Sequence, residues 1–218
     1  MYAPRHFEES RPEVLHELVR THPLGLLVTQ DAGGELSANP VPYLLEHDEA
    51  GRAVLRAHVA RANPVWQAAR RDVDSLVVFQ GPQAYISPGW YATKAEHGKV
   101  VPTWNYVMVQ ARGRLQVHED APWLLSLVTR LTQRHEAALP RPWAVADAPA
   151  DFIDGMLRAI VGIEIPLQAL TGKWKVSQNR SSADREGVAA GLHDLGDQGS
   201  PGSAGPSVNM SRLVQPGG

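Results

Sequence analysis

Residues 94–117 read KAEHGKVVPTWNYVMVQARGRLQV. A charged loop leads through Pro102 into the triplet Trp104-Asn105-Tyr106, and from Val107 onward apolar and polar side chains alternate. That period of two predicts a strand with one apolar and one polar face. Because binding groups are often presented where a loop meets a rigid element, we expect the triplet to lie at the centre of a site.

The composition is that of an ordinary globular chain, since 43% of the 218 residues are hydrophobic and 20% are charged. The absence of cysteine excludes a disulfide framework, an iron–sulfur cluster, a thiol nucleophile and a thiolate zinc site. A formal net charge of -2 and a pI near 6.5 lack the basic excess of most nucleic-acid-binding domains. No apolar run resembles a signal peptide or a membrane span, so we expect a cytoplasmic protein without membrane contact.

The pattern along the chain predicts a mainly β protein with flanking helices. About seven strands joined mostly by short turns suggest a small barrel. Pro40 and Pro42 interrupt the strand over residues 36–46, which therefore either lies at an edge or faces something other than a neighbouring strand. Gly81-Pro82 is predicted to turn the chain between two separate strands.

Two further predictions concern the second half of the chain. A helix is expected over residues 151–161, with Phe152 and Met156 on its inward face. From residue 193 to residue 218, half of the residues are glycine, serine or proline. We therefore expect one domain over residues 1–192 and a disordered tail over residues 193–218.

Three stretches, 58–63, 104–106 and 173–179, place aromatic, amide or basic side chains at the ends of strands. Aromatic faces can stack on a flat ring, amides can bind its polar edge, and basic groups can hold a phosphate. Flavin mononucleotide (FMN) fits that set. The alternative is that the aromatics belong to the core or its rim and that the lysines are solvated.

A second informative stretch is the start of a short helix after residue 62. Asn63 can cap this helix and Pro64 suits its first position. With Arg61 just before it, the arrangement fits a phosphate group. The alternative is a simple capped turn with a solvated arginine.

Several segments together resemble the PaiB family of FMN-binding negative transcriptional regulators, and the resemblance covers about residues 1–192. It is carried by residues 2–7 (YAPRHF), 58–64 (HVARANP), 85–91 (YISPGWY), 101–106 (VPTWNY) and 172–180 (GKWKVSQNR). The resemblance implies an FMN-binding split β-barrel that forms a homodimer with its flavin sites at the interface.

The resemblance also implies which residues hold the flavin. Split-barrel proteins use two neighbouring strands and the turn after the second, so Arg61 and Asn63 would face the phosphate. The remaining groups would run along the ring and ribityl chain or close the site, in part from the partner subunit. The implied cofactor-binding residues are Asn39, Pro40, Val41, His58, Val59, Ala60, Arg61, Asn63, Trp104, Asn105, Tyr106, Lys173, Trp174 and Gln178.

The function implied by the resemblance is gene regulation, through promoter DNA or through a regulatory protein partner. The alternative is a flavin-dependent oxidoreductase acting on a small molecule, and a third reading is a ligand-free barrel that holds partners on its surface. A histidine such as His58 or His97 could ligate haem in place of flavin. No histidine pair has the spacing of a metal motif and no nucleophile elbow is present, so neither a metal site nor hydrolysis is expected.

Overall fold

The computed structural model describes residues 1–197 and 206–215 of the chain. Within these residues the chain forms ten strands and seven α-helices. The strands are β1 (Glu8–Glu9), β2 (Leu24–Gln30), β3 (Leu36–Pro42), β4 (Leu44–His47), β5 (Ala53–Ala60), β6 (Ser75–Ile86), β7 (Thr103–Gly113), β8 (Gln116–His118), β9 (Ile160–Pro166) and β10 (Ala169–Lys175). The helices are α1 (Pro12–Thr21), α2 (Val65–Ala68), α3 (Thr93–His97), α4 (Ala121–Glu136), α5 (Ala150–Arg158), α6 (Ser182–Asp197) and α7 (Pro206–Val214).

The chain divides into two compact units. Unit 1 comprises Met1–Leu18, Gln80–Val109 and Thr171–Gly218, and unit 2 comprises Val19–Phe79 and Gln110–Leu170. In unit 1 the strands follow the order β1-β10-β7-β6. In unit 2 the order is β6-β2-β3, and a second, four-stranded sheet has the order β4-β5-β9-β8. The predicted single domain over residues 1–192 stays a prediction.

Each unit has its own apolar core. The core of unit 2 is built from alternate residues of the strands, among them Leu27, Leu55, Phe79, Ile163 and Ile165, which are fully buried. In unit 1 the buried apolar residues include Val107 and Val109 of β7, Val188 and Leu192 of α6, and Met210 of α7. None of the helices in the described residues is long and apolar enough to cross a membrane.

The β2–β3 hairpin confirms that the proline-bearing strand lies at an edge. Strand β3 ends its sheet order, and Leu26 and Leu24 lie opposite Pro40 and Pro42. Two hydrogen bonds flank the paired part of the hairpin, from Tyr43 N to Pro23 O (2.9 Å) and from Asp31 N to Glu35 O (3.0 Å). They show that the odd-numbered residues of β3 point their backbone N–H and C=O groups at β2. The even-numbered residues therefore face outward, where the two prolines present carbonyl oxygens but no N–H donors.

The predicted turn at Gly81-Pro82 is wrong, because β6 is continuous across it. Val77 and Phe79 are buried before this dipeptide, whereas Ala84 and Ile86 are buried after it. This change in burial phase is the effect of a bulge within one strand. A Cβ at Gly81 would lie 2.5 Å from Val107 Cγ2, so only glycine fits at the bend.

The helix predicted over residues 151–161 is shorter than expected. It ends at Arg158, and Ile160 begins β9, which pairs along its whole length with β5. Phe152 and Met156, predicted to face inward, are 55% and 49% exposed. The β-branched residues that follow the helix are used in the sheet, so they do not extend the helical apolar face as the periodicity suggested.

Helix α4 of unit 2 begins after its N-cap Asp120, and ion pairs tie it to the sheet. Its N-cap Asp120 accepts a hydrogen bond from Trp123 N at 2.9 Å. Arg130 Nε donates to Glu46 Oε1 at 2.8 Å, and Glu46 also pairs with Arg56 on β5 at 3.1 Å. Arg56 in turn donates to Glu164 on β9 at 2.6 Å. The helix therefore covers the face of β5 and β9 that carries these charges.

The part of the expected tail that the structure describes is helical except at Gln215. Residues 193–197 complete α6, and Pro206–Val214 forms α7. Met210 and Val214 are buried, and Ser211 Oγ donates to Ala189 O at 2.9 Å. The apolar spacing of i and i+4 outweighs the high content of glycine, serine and proline. Residues 198–205 and 216–218 lie outside the described residues.

Candidate functional site

A chain of polar side chains in unit 2 joins the edge strand β3 to the turn after β5. Asn63 Nδ2 donates to Asn39 Oδ1 at 3.0 Å, and Asn39 Nδ2 donates to Ser37 Oγ at 3.0 Å. The remaining amide oxygen, Asn63 Oδ1, accepts from Val65 N at 3.0 Å. The structure thus brings together two of the predicted site residues, Asn39 and Asn63, which are both half-buried.

The turn between β5 and α2 is rigid because its own groups bond one another. Asn63 N donates to Ala60 O at 2.9 Å, and Trp66 Nε1 donates to Arg61 O at 3.0 Å. Pro64 is the N-cap of α2, and the side chain of Asn63 reaches its first turn. Of the other predicted residues here, Val59 is buried in the core and Ala60 is exposed.

Arg61, predicted to bind phosphate, is engaged with protein groups. Its guanidinium donates to Glu119 Oε2 at 2.5 Å, to Arg158 O at 2.8 Å and to Ile160 O at 3.2 Å. The ion pair with Glu119 is exposed, and such pairs contribute roughly 0 to 1 kcal/mol. A phosphate could therefore replace Glu119 at little cost, whereas the backbone contacts hold the guanidinium in place.

The edge of β3 supplies the remaining predicted residues of unit 2. Pro40 is exposed and its carbonyl belongs to the outward-facing set, while Val41 is buried in the core. Backbone acceptors without neighbouring donors at a sheet edge suit a ligand that brings its own N–H group.

His58 does not join this group. It lies opposite Gly162 in the β5–β9 register, on the same face as the Arg56–Glu164 pair. Trp123 of α4 lies over that glycine, because a Cβ at Gly162 would be 2.2 Å from Trp123 Cζ3. Burial lowers the pKa of His58, and its Nδ1 has no hydrogen-bond partner in the described part of the chain. His58 thus lies on the face that α4 covers.

In unit 1 the triplet at the start of β7 points in two directions. Trp104 and Tyr106 line a cavity of about 340 Å³. The rings of Trp104 and Tyr85 make a T-shaped contact with their centroids 6.1 Å apart. Asn105 is buried on the opposite face, and its Nδ2 donates to Ser177 Oγ at 2.9 Å. That bond helps to fix Ser177 at a φ of 64°. The amide of Asn105 is therefore committed to the fold.

The predicted residues of β10 are likewise divided. Lys173 Nζ lies 5.3 Å from the Tyr106 ring centroid and donates to Tyr2 O at 3.0 Å. Trp174 lies on the opposite face, against Gly172. The side chain of Gln178 bonds its own loop, accepting from Val176 N at 2.8 Å and donating to Trp174 O. Only Lys173 of these three shares a face with Trp104 and Tyr106.

Sequence reasoning missed several residues around the unit 1 cavity. They are the outward-facing side chains near the β6 bulge and the middle of β7, together with a second lysine: Gln80, Gln83, Tyr85, Met108 and Lys175. The alternation of β7 points to Met108, and the Lys-Trp-Lys motif points to Lys175. Gln80 and Gln83 could not be found, because a turn was predicted where the strand continues. Within the described residues no cluster of histidine and carboxylate side chains could hold a metal ion.

Comparison with known proteins relates this architecture to flavin-binding folds. A family model described as "Putative FMN-binding domain" matches residues 1–169. The chain is 32% identical to an uncharacterized protein of Emericella nidulans, over 90% of this chain and 92% of that protein. It is 29% identical to "Protease synthase and sporulation protein PAI 2" of Bacillus subtilis, over 89% and 90% of the two chains.

Among solved structures, the fold is similar to that of the flavocytochrome Anf3 of Azotobacter vinelandii. The TM-score is 0.55 at 14% identity, and the match covers 79% of this chain and 72% of that chain. The predicted fold class, mainly β with flanking helices and of the FMN-binding split-barrel type, is confirmed. The matching family is named for binding FMN, which is the predicted cofactor. The chain belongs to this FMN-binding-domain family, as its resemblance to PaiB proteins predicts.

Proposed function

We propose that this protein binds FMN through unit 2 and acts as a transcriptional regulator. The observation that carries the flavin part is the hydrogen-bonded series Ser37, Asn39 and Asn63 beside the outward carbonyls of β3. Ser37 and Asn39 lie on β3 and Asn63 lies in the turn after β5, so the hydrogen bond between Asn63 and Asn39 joins two segments that are distant in the sequence. The family match supports the identity of the ligand.

The donor set of unit 2 fits the parts of FMN. An isoalloxazine ring presents one N–H donor flanked by two carbonyl acceptors, which suits the carbonyl of Pro40 and the amide of Asn39. Asn63 can both donate to and accept from ribityl hydroxyls. Arg61 would hold the phosphate in exchange for Glu119. A bound flavin supplies hydride and electron transfer, and the residues named here bind and orient it.

Replacing Asn39 with leucine is expected to weaken FMN binding about tenfold, because amide bonds to the ligand are lost and Asn63 loses its partner. Quenching of FMN fluorescence on titration with the protein measures the affinity. Gln67→Leu removes an exposed amide from the neighbouring helix α2 and serves as the control. Equal affinity in Asn39→Leu and in the unchanged protein would place the flavin elsewhere.

A homodimer is part of the proposal, supported by an exposed apolar face in unit 2. On the β2–β3 hairpin Leu24, Leu26 and Leu36 share one face and are 63%, 41% and 68% exposed. Apolar patches of this kind mark protein interfaces. A second copy of the same face is the complementary partner, since isologous association pairs like with like. The donor-poor edge of β3 disfavours the alternative of strand addition.

The regulatory role is supported by resemblance to PaiB proteins and by near full-length similarity to the Bacillus protein PAI 2. A net charge of -2 gives little nonspecific attraction for DNA, so a direct complex would depend on specific contacts. Binding to a promoter fragment, or capture of a regulatory protein in its place, tests this role.

The second candidate function is a flavin-dependent oxidoreductase, which the similarity to a flavocytochrome fold favours. We expect that NADH and NADPH leave the bound flavin oxidised. A dinucleotide phosphate would require a cationic group, and none of the groups that form hydrogen bonds with one another around Asn39 and Asn63 is cationic. Stopped-flow absorbance of the flavin band under anaerobic conditions measures this. Rapid bleaching by either nucleotide, without promoter binding, would establish the enzyme instead. A cytoplasmic location stays a prediction.

A further inference from the structure

The cavity of unit 1 is formed by the β6 bulge. Gln80 and Gln83 flank the bend at Gly81, and they line the space of about 340 Å³ together with Trp104, Tyr106 and Met108 of β7. A bulge re-aims side chains next to a strand pair, and the opening here exists because two glutamines on β6 turn outward. The volume suits a single small ring system, in line with the usual size of small-molecule sites.

The aromatic groups of this cavity are exposed. Trp104, near the start of β7, is 54% exposed, and its ring makes a T-shaped contact with that of Tyr85. The T-shaped contact with Tyr85 covers only part of the indole, and the surface of Trp104 that stays exposed is available to a flat ring. Gln83 is exposed beside them and offers both a donor and an acceptor.

Two lysines lie behind the ring of Tyr106. The Nζ atoms of Lys173 and Lys175 are 5.3 and 6.0 Å from its centroid. Lys175 Nζ is fixed by Thr103 Oγ1 at 2.5 Å and Trp104 O at 2.6 Å, which leaves one of its three donors for a ligand. In the described part of the chain neither lysine forms an ion pair, although Glu8 lies opposite Lys173 in the β1–β10 register.

Three cations, Lys173, Lys175 and Arg180, lie near one another on this face, and Glu8 lies opposite Lys173. Burial lowers the pKa of Lys175, and the nearby charges of Lys173 and Arg180 act in the same direction. Repulsion among three cations is relieved when an anion binds. Aromatic groups thus line one small opening in unit 1, and two lysines lie against the ring of Tyr106, one of its lining residues.

We propose that unit 1 carries a second ligand site, distinct from the flavin site, which binds a small aromatic molecule bearing a carboxylate or phosphate. The ring stacks on Trp104 within the cavity, the glutamines bind its polar substituents, and the anionic group reaches Lys175 and Lys173. A single-stranded nucleic acid uses similar groups, but it requires a long basic groove, whereas this face offers one cavity and two lysines.

The test is ligand-observed NMR titration of the full-length protein with benzoate, phenyl phosphate, benzamide and acetate. We expect benzoate or phenyl phosphate to bind about tenfold more tightly than benzamide, which has the ring without the charge, and acetate to show no saturable binding. Trp104→Leu is expected to abolish binding of the aromatic anions. Lys175→Met is expected to lower the affinity for the aromatic anions to that for benzamide and to leave the affinity for benzamide unchanged.

Lys99→Met is the matched control, because Lys99 is an exposed lysine of the same unit that lies outside the cavity. Bound FMN, measured by absorbance after desalting, should be the same in Lys175→Met, in Lys99→Met and in the unchanged protein. Loss of FMN in Trp104→Leu would show that this cavity is part of the flavin site. Equal affinities for benzoate and benzamide, no binding of any probe, or tight binding of oligothymidylate in their place would each overturn the proposal. Failure of FMN to bind in any variant would contradict the proposed function alone.

Discussion

Gly113→Ala is expected to destabilise unit 2 by about 3 kcal/mol, the upper range for overpacking. A Cβ at this position would lie 2.1 Å from the carbonyl oxygen of Pro166 and 2.9 Å from Ile165 Cγ2. The first contact is with backbone, which cannot rotate away as a side chain can. The neighbouring bond Gln168 N→Arg112 O at 2.8 Å holds the two segments together. Urea denaturation followed by tryptophan fluorescence measures the change.

Gly155→Ala is the matched control for this prediction. Gly155 lies within α5, where the nearest atom to an added Cβ is Arg158 Nη2 at 3.8 Å. There the methyl group meets no backbone, and alanine is the better helix former by up to about 1 kcal/mol. We expect Gly155→Ala to be neutral or stabilising. A Gly113→Ala protein as stable as the unchanged one would mean that β7 and the end of β9 do not approach as described.

Leu26→Asp is expected to convert the proposed homodimer to a monomer. Leu26 lies in the centre of the exposed face of β2 and β3, opposite Pro40. In a twofold interface the substitution buries two like charges without partners, and we expect the dissociation constant to rise at least about 100-fold. Sedimentation velocity over a concentration series measures the effect.

Leu125→Asp provides the control, since Leu125 on α4 is also an exposed leucine, 40% accessible against 41% for Leu26. It should leave the oligomeric state unchanged. If Leu26→Asp associates as strongly as the unchanged protein, the hairpin face is not the interface. If it becomes monomeric and also loses FMN, the flavin site requires the second subunit, as the resemblance implies.

Helix and strand identity was predictable wherever local spacing agreed with tertiary packing. Pro40 and Pro42 predict a strand that either lies at an edge or faces something other than a neighbouring strand, and β3 lies at the edge of its sheet. The prediction failed at Gly81-Pro82, since a dipeptide typical of turns also fits a bulge inside a strand. It failed again after Arg158, where helix-compatible residues are recruited by pairing with β5.

The candidate site was predicted in part for the same reason. The sequence indicates the kinds of residue, so Asn39, Asn63, Trp104 and Tyr106 were all found. It could not show that Arg61 bonds Glu119 and two carbonyls, or that the amide of Asn105 bonds Ser177 in the interior. The alternation of β7 does place Asn105 and Trp104 on opposite faces. The prediction that the whole triplet lies in the site did not take this alternation into account.

By itself the sequence determined the strand period, the helix starts, the family and the kinds of side chain near each strand end, because these depend on residues a few positions apart. Tertiary structure alone decided which groups meet. Asn39 and Asn63 are 24 residues apart, Arg61 and Glu119 are 58 apart, and Asn105 and Ser177 are 72 apart. A polar side chain that is removed from water must find a hydrogen-bond partner. In these three pairs folding brings together residues that are distant in the sequence, so no local pattern identifies the partner.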